Sequence, residues 1–338
     1  MKKALSAVVF LCCFSASGCF GQNTADFSIR VTDDDGLPVS NATVGVTYVT
    51  AGGFIGRDGR ALQDIHTTVE GLTDTNGVYH YRGAFNAENG WGVRKEGYYD
   101  AEYLKIKFTS VAFGRLQPWG KQYDVTLRRI VKPIAMYATT MCDPRPVKIP
   151  ELSKPYGFDL MKSDWVAPFG KGEKADFIFK LDSCDAKVPP GYYEMYPRAI
   201  RRKNETLTVA FSNPDDGIQG FISAPRQGST FRSPRYAPES GYETNYVSLD
   251  RMDEGNQRND KANENQNYIF RVRTMRDEHG AITNAFYGKI YGPICYMAPF
   301  VGCTYYLNPT SLDRNLEFDR TKNLLQGVVD QRQLPSEP

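Results

Sequence analysis

The stretch GLTDTNGVYHYRG, Gly71–Gly83, sets the expectation for the fold. Two short apolar–polar alternations lie on either side of the pair Asn76-Gly77. Alternation with a period of two is typical of a β-strand that has one buried face. Asn and Gly tolerate the positive φ angles that tight turns between strands require. The stretch therefore predicts a β-hairpin, with strands over 66–72 and 78–81.

The same pattern continues on both sides of this stretch. Upstream, residues 27–49 have the pattern of a strand, a turn and a second strand, with Asp35-Gly36 at the turn. Downstream, further strands are predicted over 90–103, 104–113 and 121–131. Aromatic residues make up 13% of the chain, and Tyr and Phe favour strands. The sequence favours an all-β fold with little helix.

Four of these segments together resemble the carboxypeptidase regulatory-like, transthyretin-like module. They are VTDDDGLPVSNATVGV (31–46), TDTNGVYHYRG (73–83), VRKEGYY (93–99) and YDVTLRRI (123–130). That family opens with a strand, a D-x-x-G-x-P-V turn and an A-x-V strand, and continues with a T-D-x-x-G hairpin. The resemblance covers residues 26–132. It implies a small antiparallel β-sandwich that serves as an accessory module without catalysis of its own.

The start of the chain has the features of an export signal. Residues 1–18 combine a basic start, an apolar run and small residues before Cys19, and this predicts a signal peptide. The end of the leader, ASGC, resembles a bacterial lipobox, which implies that Cys19 is lipidated and that the membrane is a partner through this anchor. Ordinary cleavage nearby, giving a soluble exported protein, is the alternative. We expect an envelope location, outer-membrane-anchored or periplasmic, in an oxidising compartment.

Charge argues against one class of partner. The formal net charge is +2, and Lys2 and Lys3 of the leader account for both charges. A mature chain near neutrality offers no broad positive field, so no nucleic-acid partner is expected.

The pattern changes after the first module. Residues 133–155 are Pro-rich and predict an extended crossing. Strand candidates separated by Gly, Asn, Asp and Pro then favour a second antiparallel, sandwich-like domain over 156–325. Within it, SLDRNLEFDRTKNLL (311–325) is the one predicted helix, and residues 326–338 are predicted to be a disordered tail. Residues 158–179 resemble parts of uncharacterised exported bacterial proteins, which implies no activity.

Cysteine usage suits an oxidising compartment. The chain has seven cysteines. Cleavage of the leader removes two of them and lipidation uses Cys19, so four remain, as expected for two disulfides. We expect Cys295–Cys303, because a Pro and a Gly between them suit a chain reversal, and Cys142–Cys184. Four buried thiols are the alternative.

The sequence predicts no metal, no cofactor and no catalytic residue. His66, His80 and His279 do not stand at ligand spacing with another His, Cys or Glu. A G-x-S-x-G nucleophile motif is absent. A glycan hydrolase would need two carboxylates on opposite sides of a sugar. Asp164 and Glu194 have aromatic neighbours, but the sequence does not show whether they meet.

Aromatic and basic side chains are the candidate ligand-binding groups. Rings can stack on the flat faces of sugars, and arginines can pair with an acidic glycan or headgroup. Core packing for the rings and a charged hairpin end for the arginines are the alternative explanations. The candidates are Trp91, Tyr98, Tyr99, Tyr192, Arg201 and Arg202.

These features favour a non-catalytic binding or structural lipoprotein of the envelope. Its expected partner is a glycan or another envelope protein. The alternative is a glycan-acting hydrolase that uses carboxylates of the second domain.

Overall fold

Strands dominate the computed structural model, as the sequence predicts. Two β-sandwiches follow each other along the chain, each with its own apolar core. Within the described residues, the one α-helix is the short segment Tyr192–Met195 (α1). The structure describes residues 23–51, 65–85, 90–142, 146–188, 190–197, 203–223, 228–254, 257–259, 263 and 265–338.

The first sandwich places two sheets around a core of aliphatic and aromatic side chains. Its strands are β1 (Thr24–Thr32), β2 (Thr43–Ala51), β3 (Ile65–Leu72), β4 (Val78–Ala84), β5 (Gly90–Arg94), β6 (Tyr98–Tyr99), β7 (Ala101–Lys105), β8 (Ser110–Ala112), β9 (Arg115–Gln117), β10 (Lys121–Thr126) and β11 (Arg128–Arg129). One sheet has the order β10-β1-β9-β8 with β4 also on β1, and the other has the order β3-β2-β5-β7. β6 and β11 form a separate pair.

The turn at Asn76-Gly77 is present, but the predicted hairpin is wrong. β3 pairs with β2 in one sheet, whereas β4 pairs with β1 in the other. The turn is therefore an arch that carries the chain from sheet to sheet. The Asp74 carboxylate shapes it by accepting the N–H groups of Asn76 at 2.9 Å and Val78 at 2.7 Å. Alternation predicted the strands, but it holds no information on which strand each one joins.

A second arch, between β1 and β2, locks against the first. The Val31 N–H donates to the Gly77 carbonyl at 2.8 Å, and the buried Thr73 hydroxyl donates to the Val39 carbonyl at 2.7 Å. Gly77 has a φ of 74°, and a Cβ there would lie 2.4 Å from the Val31 carbonyl oxygen. The two arches therefore fix the spacing of the sheets, and glycine is required where they touch.

The second sandwich packs a seven-stranded sheet against a six-stranded sheet. Its strands are β12 (Ile134–Thr140), β13 (Val147–Lys148), β14 (Tyr156–Asp159), β15 (Asp164–Trp165), β16 (Phe177–Asp185), β17 (Lys203–Ala210), β18 (Gly217–Ile222), β19 (Asn245–Glu254), β20 (Gln257–Asn259), β21 (Gln266–Arg276), β22 (Ile282–Met297), β23 (Phe300–Leu307) and β24 (Phe318–Asn323). The sheet orders are β18-β21-β22-β23-β12-β24, with β13 on β23, and β15-β14-β16-β17-β19-β20. The residues expected to form an extended crossing, 133–155, thus supply β12 and β13.

The predicted helix over 311–325 is wrong. The chain instead makes side-chain turns, in which the Asp313 carboxylate accepts the Asn315 N–H at 3.0 Å and the Asn315 side chain accepts the Glu317 N–H at 3.0 Å. Such local bonds compete with helix formation. The chain then pairs as β24 beside β12. The spacing of Leu312, Leu316 and Leu325 favours one helix face, but Leu316 and Leu325 are buried without a helix and Leu312 is 49% exposed.

The last residues differ from the disordered tail expected over 326–338. Gln331–Gln333 form a 3₁₀ turn, and the Asp330 side chain accepts the Arg332 N–H at its start. The Thr139 hydroxyl donates to the Gln333 carbonyl at 3.2 Å, and Pro338 is buried. The polar composition of residues 326–338 predicted disorder because composition does not show the contacts that these residues make with the second sandwich.

The expected disulfides are not formed, since none of the four described cysteines is in a disulfide. Cys295 on β22 lies opposite Gly302 on β23. The next residue, Cys303, therefore points to the other face of the sheet, where it is buried in the core. Cys184 lies on β16 of the six-stranded sheet, away from Cys142. A hydrogen bond with Cys295, together with burial, raises the pKa of the Cys142 thiol.

The close approach at Gly302 gives a test of this packing. A Cβ on Gly302 would lie 1.8 Å from the Met141 carbonyl oxygen, so Gly302→Ala should lower the free energy of unfolding by about 3 kcal/mol or more. Urea denaturation measures this. Gly45→Ala in β2 is the matched control, because its Cβ would meet nothing nearer than 3.5 Å. Equal stability of the two variants would contradict the observed packing.

Candidate functional site

A buried carboxylate joins the two sandwiches. Glu317, just before β24, is fully buried. It accepts the N–H groups of Val131 at 2.8 Å and Lys132 at 2.7 Å and the Tyr99 hydroxyl at 2.9 Å. Arg235 Nη1 forms an ion pair with it at 2.9 Å. Burial opposes the charge, but these donors outweigh it and hold the pKa of Glu317 below its ordinary value.

One phenyl ring at this junction is surrounded by cations. Phe231 is fully buried. The Arg128 guanidinium carbon lies 4.4 Å from its centroid, Lys289 Nζ 4.7 Å and the Arg235 guanidinium carbon 5.5 Å. The Tyr99 ring packs on it at 5.1 Å. Since aromatic faces attract cations, the ring allows three positive side chains to lie close together.

Lys289 lies deepest in this cluster and is fully buried. Its Nζ donates to the Tyr291 hydroxyl at 3.1 Å and to the Pro338 carbonyl at 2.8 Å. The Tyr306 ring centroid lies 4.9 Å from the same nitrogen. Burial lowers the pKa of Lys289 well below its ordinary value, and the charge of Arg232 lowers it further.

The carboxylate of Glu337, near the end of the chain, lies on one of the basic side chains next to Lys289. Arg232 Nη2 is 2.5 Å from Glu337 Oε2, and its guanidinium stacks over Tyr291 at 4.5 Å. Within the described residues, two buried polar atoms here, Arg232 Nε and the Tyr306 hydroxyl, have no hydrogen-bond partner. The cluster therefore retains unused hydrogen-bonding capacity beside the one carboxylate that it holds.

Arg232 and Glu337 of this cluster line a cleft between the two sandwiches. We name it the junction cleft; its volume is about 1010 Å³. Residues 98–107 of the first sandwich form one wall, and residues 228–232 and 318–321 of the second form the other. The charged side chains along it are four basic and four acidic ones: Lys105, Lys107, Arg232 and Arg320, and Asp100, Glu102, Asp319 and Glu337.

Two of the predicted binding residues lie in this cleft. Tyr98 and Tyr99 line it, although the Tyr99 hydroxyl is committed to Glu317. Trp91 is buried in the core of the first sandwich, so core packing explains it. Tyr192 lies on α1, where its ring packs on Tyr193 at 5.3 Å and Tyr196 at 5.2 Å. The remaining predicted residues, Arg201, Arg202 and Cys19, lie outside the described residues.

No sequence motif marks the buried residues that lie next to the junction cleft. Phe231, Lys289 and Glu317 are separated by tens of residues and match no motif. One weak signal was available, since a lysine inside the apolar strand pattern of β22 is unusual.

The carboxylates considered for hydrolysis do not meet. Asp164 binds the N–H groups of its own turn, and Glu194 is exposed on α1. Two others, Asp159 and Asp176, do converge, but on Arg273 Nη2, at 2.9 Å and 2.8 Å. Both also accept backbone N–H groups of the neighbouring turns. This pair therefore stabilises loops of the second sandwich.

The described residues offer no group of metal ligands, because no three of their His, Cys, Asp or Glu side chains lie together as metal ligands would. The buried Asp26 carboxylate lies 3.1 Å from His80 Nε2 and 3.7 Å from Arg82 Nε. Within the same residues, no helix has the length and apolar composition needed to cross a bilayer.

Comparisons with known proteins do not assign this chain to a family. No protein-family model matches it, and no curated protein does. Among solved structures, 3-chlorocatechol 1,2-dioxygenase from Rhodococcus opacus matches at TM-score 0.24 and 16% identity, over 32% of this chain and 61% of the enzyme. The Bacillus cereus major pilin subunit BcpA matches at TM-score 0.19 and 12% identity, over 83% of this chain and 95% of the pilin. A Bacteroides uniformis protein named as carbohydrate-binding matches at TM-score 0.19 and 10% identity. This match covers 87% of this chain and 100% of the Bacteroides protein. TM-scores this low carry no argument about function.

The junction carboxylate gives a stability test. Glu317→Ala leaves Arg235 and two backbone N–H groups buried without their acceptor, so the free energy of unfolding should fall by about 3–5 kcal/mol. Because the folded pKa of Glu317 is lowered, its contribution is present above the ordinary carboxyl pKa and is lost as the pH falls through the folded pKa. The difference between wild type and variant should therefore shrink in acid.

Denaturation at several pH values checks both parts of this expectation. Glu278→Ala is the control, since that carboxylate is exposed. A loss in Glu317→Ala no larger than in the control, or one independent of pH, would show that the junction does not depend on this charge.

Proposed function

We propose that this protein is an exported, lipid-anchored envelope protein that binds a carboxylate-bearing glycan in the junction cleft, without catalysis. The leader and Cys19 support export and anchoring. The resemblance of residues 26–132 to an accessory module supports a binding role.

One observation carries the choice of ligand. The carboxylate of Glu337 lies on Arg232, and both side chains line the junction cleft. Arg232 Nε is buried without a hydrogen-bond partner, and the buried Lys289 contacts Tyr291, over which Arg232 stacks. This is the environment that a ligand carboxylate requires, because an arginine and nearby donors recognise it by charge-assisted hydrogen bonds. Glu337 acts as an internal substitute for that group.

The rest of the junction cleft suits a sugar chain. Lys105, Lys107 and Arg320 line it and are exposed, so further acidic groups of the same polymer can pair with them. The cleft also contains the carboxylates of Asp100, Glu102 and Asp319, and Asp319 is already paired with Lys322 at 2.9 Å. The partly exposed Tyr98 ring offers an apolar face at the same wall. The predicted preference is for a polyuronate over a neutral glycan of the same length.

The substitution Glu337→Gln tests this directly. It removes the competing charge and should strengthen binding of an oligogalacturonate by about threefold to tenfold, whereas Arg320→Ala should weaken it by a similar factor. Titration calorimetry measures both, with a neutral oligoglucan as the comparison ligand. Lys171→Ala, an exposed lysine of the second sandwich outside the cleft, is the control. Equal affinity for the neutral glycan, or weaker binding by Glu337→Gln, would overturn the proposal.

A hydrolase remains the second candidate because of one side chain. Burial raises the pKa of Asp100, and Arg94 and Arg320 only partly oppose this. Asp100 lines the junction cleft, and a carboxyl with a raised pKa is what a general acid requires. Release of reducing ends from the bound glycan, abolished in Asp100→Asn with binding retained, would replace the non-catalytic role by this one.

Anchoring is tested separately. Cys19→Ser removes the acylation site, so the variant should move to the aqueous phase of a detergent separation while the wild type stays in the detergent phase. Mass spectrometry of the wild-type N-terminal peptide supplies the control. If both proteins partition alike, Cys19 carries no anchor.

A further inference from the structure

A short hairpin of the first sandwich carries an exposed aromatic residue at its tip. β8 and β9 pair antiparallel, with Ala112 opposite Arg115, so Phe113 and Gly114 form the two-residue loop. Their φ angles are 50° and 72°. Positive φ at both positions defines a type I′ turn, for which Asn-Gly is the preferred sequence. Phenylalanine is unfavourable there because its Cβ crowds the backbone.

Folding gives no reason for this choice of residue. The Phe113 side chain is fully exposed, at 104% of its reference area, and Val111 in the same hairpin is 52% exposed. An aromatic residue in an unfavourable conformation, with its ring in water, lowers stability on both counts. A function of the exposed ring would account for its presence.

The surroundings of the tip are basic and amphipathic. Residues 109–123 contain two basic residues, Arg115 and Lys121, and no acidic one. The half-buried Trp119 ring lies under Arg115 at 5.1 Å and Arg82 at 5.6 Å. Arg82 Nε also lies 3.7 Å from the Asp26 carboxylate, but the Arg82 side chain stays 68% exposed. Tryptophan beside arginine is typical of surfaces that lie at the boundary between membrane and water.

The chain enters the structure beside the same tip. The Thr24 N–H donates to the Gly114 carbonyl at 2.9 Å, and Thr24 lies opposite Arg115. Cys19 precedes Thr24 by five residues, which span at most about 18 Å of extended chain. A lipid on Cys19 would therefore hold this hairpin close to the bilayer surface.

We infer that the β8–β9 hairpin is a membrane-contact site, in which Phe113 and Val111 insert into the interfacial region of an anionic bilayer while Arg82, Arg115 and Lys121 face its phosphates. The inference rests on the lipid anchor of the proposed function for its position, and it is independent of glycan binding. It gives the anchor a second membrane attachment that orients the first sandwich.

The test uses the Cys19→Ser protein, which carries no acyl chain, so that binding reports the hairpin alone. Sedimentation with vesicles of phosphatidylethanolamine and phosphatidylglycerol should show weak binding, which phosphatidylcholine vesicles lack. Phe113→Asn should weaken it about tenfold, and Phe113→Trp should retain it. Phe169→Ala is the control, since Phe169 is also exposed, at 55%, but lies on the second sandwich.

A second readout separates function from structure. Phe113→Asn suits the type I′ turn, so its Tm should rise while vesicle binding falls; a structural role for the ring would lower the Tm instead. Brominated lipid should quench Trp119, because the other two tryptophans, Trp91 and Trp165, are buried.

Three outcomes would overturn the inference. They are vesicle binding unchanged in Phe113→Asn, no binding to any vesicle, and a dimer that Phe113→Asn dissociates, which would mean that a second copy covers the tip. A failed detergent partition of the wild type would remove only the anchor, and unchanged glycan affinity in Phe113→Asn is expected, so the two proposals fail separately.

Discussion

A carboxylate that is buried away from water needs hydrogen-bond donors or a cation from the protein itself. The buried Glu317 carboxylate obtains them from several separate segments of the chain. Its donors come from β6, from the chain between the sandwiches and from Arg235 in the segment between β18 and β19. Satisfying one charge thus fixes the positions of three separate parts of the chain. The cation-surrounded ring of Phe231, the buried Lys289 and the junction cleft all lie next to this point and depend on the position it sets.

Sequence patterns predicted the local structure well and its pairing poorly. Strands on both sides of Asn76-Gly77 and Asp35-Gly36 are present, yet each turn leads into the opposite sheet. Alternation records only that one face of a strand is buried. The partner strand depends on contacts such as that between Val31 and Gly77, which are distant in sequence. The prediction for segment 311–325 was wrong for a similar reason, because Leu316 and Leu325 are buried without a helix.

The candidate site was even less accessible from the sequence. Ring-bearing residues were chosen for their composition, but most large rings in a β-sandwich fill its core, as Trp91 does. The side chains that distinguish the junction cleft, such as Arg232 and Lys289, act only because folding gathers them around one ring and one carboxylate. Tyr98, chosen on the same basis, does line the cleft.

The position of β1 has a mechanical consequence. β1 is the first described strand, and it is hydrogen-bonded along its length to β4 on one side and to β10 on the other. A pull on the chain before Thr24 acts along the axis of this strand, so it loads the bonds of both ladders in shear and all at once instead of opening them one by one. A protein tethered at this end would resist traction at the strand that the tether enters.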